Sequence, residues 1–130
     1  MLLVLSLFAM EHLFNPATVN PPPEIHRNIV YKEIDGHRLR LDVFQPVNQT
    51  EPTPAIVYVH GGGWFLRDRD DFEDFATGLG IQGYAGVLID FRDLPPNGFY
   101  DQIADIKDAI RWVRLNAEQY NIDPDRIGIT

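Results

Sequence analysis

Cysteine is absent from the 130-residue sequence, which excludes a disulfide framework, a thiolate metal site and a cysteine nucleophile. Serine is almost absent: the one serine is Ser6, inside the apolar opening MLLVLSLFAM. Basic residues are few, eleven against nineteen acidic ones, and the net charge of −8 with a pI near 4.7 repels phosphate backbones and anionic lipid. Nucleic-acid binding is therefore not expected. No apolar run reaches the roughly 20 residues that a bilayer requires, so stable membrane insertion is not expected either. The phosphate-loop pattern G-x-x-x-x-G-K-[ST] is missing, and no histidine stands at ligand spacing from another or from a carboxylate, so neither a cofactor nor a metal is implied.

An apolar content of 45% with 12% aromatics marks a globular chain with the length of one domain. Residues 1–24 form an apolar segment followed by a proline-rich linker, NPATVNPPPE, and the fold proper occupies 25–130. The opening segment has two readings. It is the h-region of a secretory signal without its basic n-region, which would make the protein secreted or periplasmic, or an apolar segment that packs on a cytoplasmic domain. Nothing in the sequence fixes an oligomeric state.

Period-two alternation in NIVYKEI (28–34) and HRLRLDVF (37–44), split by Asp35-Gly36, predicts a hairpin with a type I′ turn. AIVYVH (55–60) and YAGVLIDF (84–91) are continuous apolar runs, as expected of strands covered on both faces. Between them Phe72, Phe75, Ala76 and Leu79 share a helical face, with Asp70, Asp71, Glu73 and Asp74 at the end where they complement the helix dipole. A second helix is predicted from about Tyr100 to Tyr120 through Ile103, Ile106, Ile110, Val113 and Ala117, with Pro124 forcing the exit, and RIGIT starts a further strand. The expected fold class is α/β: an antiparallel hairpin, then β-α-β-α-β in a mostly parallel sheet.

Three glycines stand at the carboxyl end of the first buried strand, in HGGGW (60–64), where ligands bind in open α/β sheets. Glycine costs backbone entropy, so three together imply that bare N–H groups are wanted there, to cradle a phosphate or to stabilise an oxyanion in acyl transfer. The second use fits the absence of a phosphate loop. HGGGW resembles the oxyanion-hole motif of esterases and lipases with the α/β-hydrolase fold. VYKEIDGHRLRLDVFQP, PAIVYVHGGGW and DIKDAIRWVRLNAEQYNIDPDRIGI are similar, in order, to segments of the acetyl-esterase and feruloyl-esterase-like families, a resemblance covering about 30–130.

That resemblance implies the N-terminal part of an α/β-hydrolase fold with strand order 1-2-4-3-5. It implies a carboxylic-ester hydrolase acting on a small-molecule or polysaccharide-linked ester. Gly62 and Gly63 would offer N–H groups to the oxyanion, Gly61 would permit the turn, His60 would support the loop and Trp64 would pack beneath it. Arg92 matches the family's Y-R-L-S-P-E segment, but Asp93 to Phe99 depart from it. No G-x-S-x-G and no Ser-Asp-His triad is found, and the sequence ends at Thr130 where the nucleophile elbow would come next. The chain is thus expected to be truncated before that elbow and inactive alone; the alternative is a non-catalytic binding module descended from hydrolases.

Other motifs have plainer readings. GLGIQG (78–83) closes a helix rather than opening one, so its glycines are capping and turn residues, not a dinucleotide fingerprint. Asp101, Asp105 and Asp108 read as a solvated helix face relieved by Lys107 and Arg111. His12, His26 and His37 read as surface or partly buried polar residues, and Trp112 as a packing residue.

Overall fold

A computed structural model describes residues 20–61 and 68–130. They form strands β1 (Glu24–Ile34), β2 (His37–Gln45), β3 (Thr53–Tyr58), β4 (Ala85–Ile89) and β5 (Ile122–Ile129), with helices α1 (Glu73–Ile81) and α2 (Phe99–Leu115). Short 3-10 turns cover Arg69–Phe72 and Glu118–Tyr120. The sheet order is β1-β2-β4-β3-β5, as the resemblance implies. β1/β2 and β2/β4 are antiparallel, while β3 runs parallel to both β4 and β5.

The hairpin has the predicted turn. Ile34 pairs with His37, and Asp35 and Gly36 both take positive φ, 49° and 79°. β1 carries a bulge between His26 and Ile29, with Asn28 at φ 58°.

The strand order places the helices. The step from β3 to β4 runs one way across the sheet, and the step from β4 to β5 runs back past β3. Crossovers of one hand in opposite directions must pass over opposite faces. α2 accordingly buries Ala109 and Val113 against Leu41, Val43, Ala55, Val57, Ala85, Val87 and Ile89, while Ala76 of α1 meets Phe44 and Leu88 on the other side. Alternate residues of β3 and β4 face different cores, which is why these strands read as unbroken apolar runs.

Helix limits differ from the sequence reading. The 3-10 turn at Arg69–Phe72, capped by Asp68, takes up Asp70, Asp71 and Phe72, so α1 begins at Glu73. Phe72 still packs on the α1-side core, while Phe75 is 44% exposed. α1 ends in a Schellman motif: the Tyr84 N–H donates to the Leu79 carbonyl, the Gly83 N–H donates to Gly80, and Gly83 lies at φ 87°. Gly83 therefore caps the helix as expected, whereas Gly78 and Gly80 are not capping or turn residues but lie inside α1. α2 stops at Leu115, well before Pro124, because a 3-10 turn and left-handed Asn121 (φ 51°) reverse the chain into β5. Pro124 lies inside β5 and does not end the helix. The last proline of the linker joins the fold, for Pro23 is buried against Gly80 of α1.

Candidate functional site

At the end of the sheet where β3 and β4 finish and β2 begins lies a cleft of about 390 Å³, lined in part by His37, His60, Asp68, Asp90, Phe91 and Asp93. This is where the fold leaves backbone ends open to ligands. The tail of β3 is held in register by β5: the Val59 N–H donates to the Thr130 carbonyl at 2.9 Å, and the Thr130 N–H donates to Val57 at 3.1 Å.

Of the sequence candidates, His60 and Gly61 are described. The half-buried His60 ring stacks on Phe91 with centroids 4.6 Å apart, and its Nδ1 lies 3.2 Å from the Gly61 carbonyl. Gly61 is exposed, and a Cβ there would meet nothing within 4 Å. Gly62, Gly63 and Trp64 lie outside the described residues, as does His12.

Two charged clusters brace the cleft from behind. In the first, the Arg69 guanidinium is 8% exposed and reaches three segments. Its Nε donates to Asp42 Oδ2 at 3.2 Å, Nη1 to Asp90 Oδ1 at 2.5 Å, and Nη2 to Asn28 Oδ1 at 2.5 Å. Burial works against the charge, but hydrogen bonding to Asp90 and the charges of Asp90 and Asp42 outweigh it, so the Arg69 pKa rises. Both carboxylates also bind backbone: Asp42 Oδ1 accepts from the Asn28 N–H at 2.6 Å, and Asp90 Oδ2 from the Arg40 N–H at 3.2 Å.

The second cluster centres on Asp105 of α2, which is fully buried. It accepts from Arg92 Nε at 2.8 Å, Arg92 Nη2 at 3.0 Å, the Arg92 N–H at 3.1 Å and Lys32 Nζ at 2.7 Å. Burial alone would raise its pKa; the hydrogen bonds from Arg92 and Lys32 reverse that and hold it below the ordinary carboxylate value. Lys32 also donates to Asp108 at 2.7 Å, and Gln102 Nε2 donates to the Arg92 carbonyl at 2.9 Å. These bonds fix the segment after β4 that floors the cleft. The solvated-face reading of Asp101, Asp105 and Asp108 is thus corrected: Asp105 is a buried anchor, Asp108 is half-buried on Lys32, and Asp101 closes the start of α2 through the Gly98 N–H at 2.8 Å.

Nearby, the Tyr31 hydroxyl donates to the Asp90 carbonyl, and its pKa is pushed well up by burial and by the surrounding carboxylates. His26 bonds to Gln45 at 2.9 Å and meets Tyr120 edge-on, His37 is exposed at the cleft rim, and Trp112 packs against the α2-side core. Among the described residues no group of three or more His, Asp or Glu converges as metal ligands, and no helix is long and apolar enough to cross a membrane.

The Arg69 cluster was not apparent from sequence. One signal was available: Asp42 and Phe44 share a face of β2, so a face carrying a fully buried Phe44 also buries Asp42, and a buried carboxylate needs a cation. Where that cation sits in sequence was not predictable, because Arg69 comes from a turn beyond β3.

Comparison with known proteins agrees with this geometry. The BD-FAE family model matches residues 41–130. A probable isoprenylcysteine alpha-carbonyl methylesterase of Arabidopsis thaliana is 32% identical over 105 residues, 81% of this chain and 22% of the relative. Carboxylesterase NlhH of Mycobacterium tuberculosis is 34% identical over 116 residues, 83% of this chain and 36% of the relative. The solved structure of a thermophilic esterase from the Planctomycetes species Thermogutta terrifontis, Est2, superposes with a TM-score of 0.72 at 30% identity, covering 84% of this chain and 39% of that one. The same esterase phosphorylated by paraoxon gives a TM-score of 0.71, covering 84% of this chain and 42% of that one. The chain therefore spans between about a fifth and about two fifths of the proteins it matches.

Proposed function

The chain belongs to the BD-FAE family and has part of an α/β-hydrolase esterase fold, and from that premise we propose that it supplies the oxyanion loop of a serine carboxylic-ester hydrolase. The observation that supports this reading is the place of His60, the first residue of HGGGW: it follows the end of β3, an interior strand, and lines the cleft with Asp90 and Phe91 after the end of β4.

In the proposed reaction a serine hydroxyl attacks the ester carbonyl, a histidine accepts its proton, and the carbonyl oxygen takes up the negative charge. Gly62 and Gly63 donate backbone N–H groups to that oxyanion. Gly61 allows the tight turn, His60 stacked on Phe91 supports the loop, and Trp64 packs beneath it. Collapse breaks the ester C–O bond and the histidine returns the proton to the departing alcohol; water then repeats the cycle on the acyl-enzyme. Ser6, in the apolar opening, is the one serine of residues 1–130, and in this proposal the serine, the acid and the histidine are assigned to the parent protein outside those residues. The substrate is a small-molecule or polysaccharide-linked ester.

The test uses the full-length protein and p-nitrophenyl acetate. Gly62→Ala or Gly63→Ala should lower kcat by roughly 10²-fold, because a Cβ displaces donors that act on the transition state alone. Residues 1–130 by themselves should give no turnover. Unchanged kcat in both glycine variants refutes the loop assignment. A full-length protein that neither turns over the ester nor takes up one equivalent of paraoxon is the non-catalytic binding module instead.

A further inference from the structure

We propose that residues 93–97 form a specificity wall of the cleft, and that Gln102 and Asp105 of α2 are its positioning residues, acting through Arg92. The proposal rests on the esterase reading for its kinetic consequence, though not for its structural one. The segment between β4 and α2 gives Asp93, Pro95, Pro96 and Asn97 to the cleft lining. It is also the stretch that departs from Y-R-L-S-P-E, so the shape of this side of the cleft is particular to the chain.

Little holds such a stretch from within. Pro95 and Pro96 have no N–H to donate, Asp93 and both prolines are exposed, and Asn97 Nδ2 donates to the Asp93 carbonyl at 3.1 Å. Its place is therefore set at its two ends, and both are tied to α2. At the first end Arg92 is clasped by backbone as well as side chain. Its N–H donates to Asp105 Oδ2 at 3.1 Å, its carbonyl accepts from Gln102 Nε2 at 2.9 Å, and its Nε and Nη2 donate to Asp105 at 2.8 and 3.0 Å. At the second end the Gly98 N–H donates to Asp101 Oδ2 at 2.8 Å.

Gln102 and Asp105 stand three residues apart on one buried side of the helix, and both are directed at Arg92. Arg92 lines the cleft, but Gln102 and Asp105 are not among the described residues that do. A change at either reaches a bound ester only by moving the wall. Moving one side of a cleft of about 390 Å³ alters which group fits there and leaves the chemistry at the carbonyl alone. In kinetic terms that is binding made equally in ground and transition states, so KM and the preference among esters change while kcat does not.

The experiment compares the full-length wild type with Gln102→Met, which keeps the size and removes the donor, and with Asp105→Asn, which removes the charge. Asp123→Asn is the control: Asp123 pairs with Arg126 at 2.6 Å near the start of β5, at the end of the sheet away from the cleft. p-Nitrophenyl acetate and butyrate vary the acyl group, and phenyl and 1-naphthyl acetate vary the alcohol. In Gln102→Met we expect KM for the larger ester of one pair to rise roughly threefold or more, with kcat on the smaller within about twofold. The pair that responds identifies the side of the ester that lies on the wall. Amide exchange at Arg92 should quicken while that of β2 and β4 stays put. Asp105→Asn should show the same pattern more strongly, and Gln102→Met carries the test if Asp105→Asn does not fold.

Unchanged preference in both pairs, in a variant whose Arg92 amide has quickened, overturns the wall's role in specificity. An Arg92 amide that does not quicken, or quickens no more than β2 and β4, overturns the anchoring. So does an equal shift in Asp123→Asn, since lost stability alone would then explain it. If wild type hydrolyses none of the four esters, the proposed function fails and the exchange comparison alone decides whether α2 holds the wall.

Discussion

Lys32 joins two carboxylates of α2 that see different amounts of water, Asp105 fully buried and Asp108 one third exposed. Both are held below the ordinary value of 3.8, Asp105 by Arg92 and Lys32 against the effect of burial, Asp108 chiefly by its hydrogen bond from Lys32. A depressed carboxylate contributes its full stabilisation above 3.8 and loses it as pH falls through the folded value. Lys32 shifts the opposite way, above 10.5 despite burial, so its share is full below 10.5 and lost as pH rises through the raised value. Asp108→Asn should therefore cost about 1 kcal/mol at neutral pH, discounted for its exposure, and the gap from wild type should close as pH drops below 3.8. Urea midpoints from pH 7 down to pH 3 check this; a gap independent of pH would show that the ion pair contributes nothing through charge. The sequence hid this cluster because carboxylates at helical spacing read as a wet face. The usable sign was Ala109 and Val113, which continue the register of Gln102 and Asp105 with small and apolar letters, so the stripe is a buried one.

Between elements, α1 packs tightly on β4 at Gly86. A Cβ placed on Gly86 would stand 3.0 Å from the Ala76 carbonyl oxygen and 3.1 Å from its Cα, so the helix would have to lift off the sheet. Gly86→Ala should lower stability by roughly 1–3 kcal/mol. Gly78, on the same helix, has nothing within 4 Å of the corresponding position, and Gly78→Ala should stabilise by up to about 1 kcal/mol through helix propensity. Thermal unfolding of the two variants should move the midpoint in opposite directions, and a shared sign would contradict the packing described. Much at this scale was legible: Asp35-Gly36 between alternating strands fixed the hairpin, and two apolar runs separated by a helical pattern fixed the crossover. Helix limits were not, because α1 starts only after a separate 3-10 turn capped by Asp68 and α2 stops at Leu115, ahead of a second 3-10 turn, choices that apolar periodicity does not record. Of the site, the sequence marked the glycines and His60, whose motif is contiguous, and missed Arg69, whose partners come from three distant segments.

Across the whole molecule the sheet is unevenly finished. β5 pairs with β3 on one side, and among the described residues nothing pairs with the other, where Ile129 is 56% exposed. An uncovered parallel edge invites pairing with a second chain, and part of a sheet buries less apolar area per residue than a whole one for the same ordering entropy. Residues 24–130 expressed alone should therefore self-associate despite the chain's net charge of −8, and light scattering should give a mass above the monomer's. A monodisperse monomer with a sharp cooperative transition would mean that these residues complete a domain. The same chain also carries its own optical gauge of local packing. Trp112 of α2 and Tyr120 of the 3-10 turn that leads into β5 sit with ring centroids 5.9 Å apart, close enough for excitation absorbed by the tyrosine to be emitted by the tryptophan. Tyr120's share of the emission, set against that of the other four tyrosines, should therefore grow when that contact opens, reporting in an unlabelled sample whether α2 and the turn before β5 stay packed.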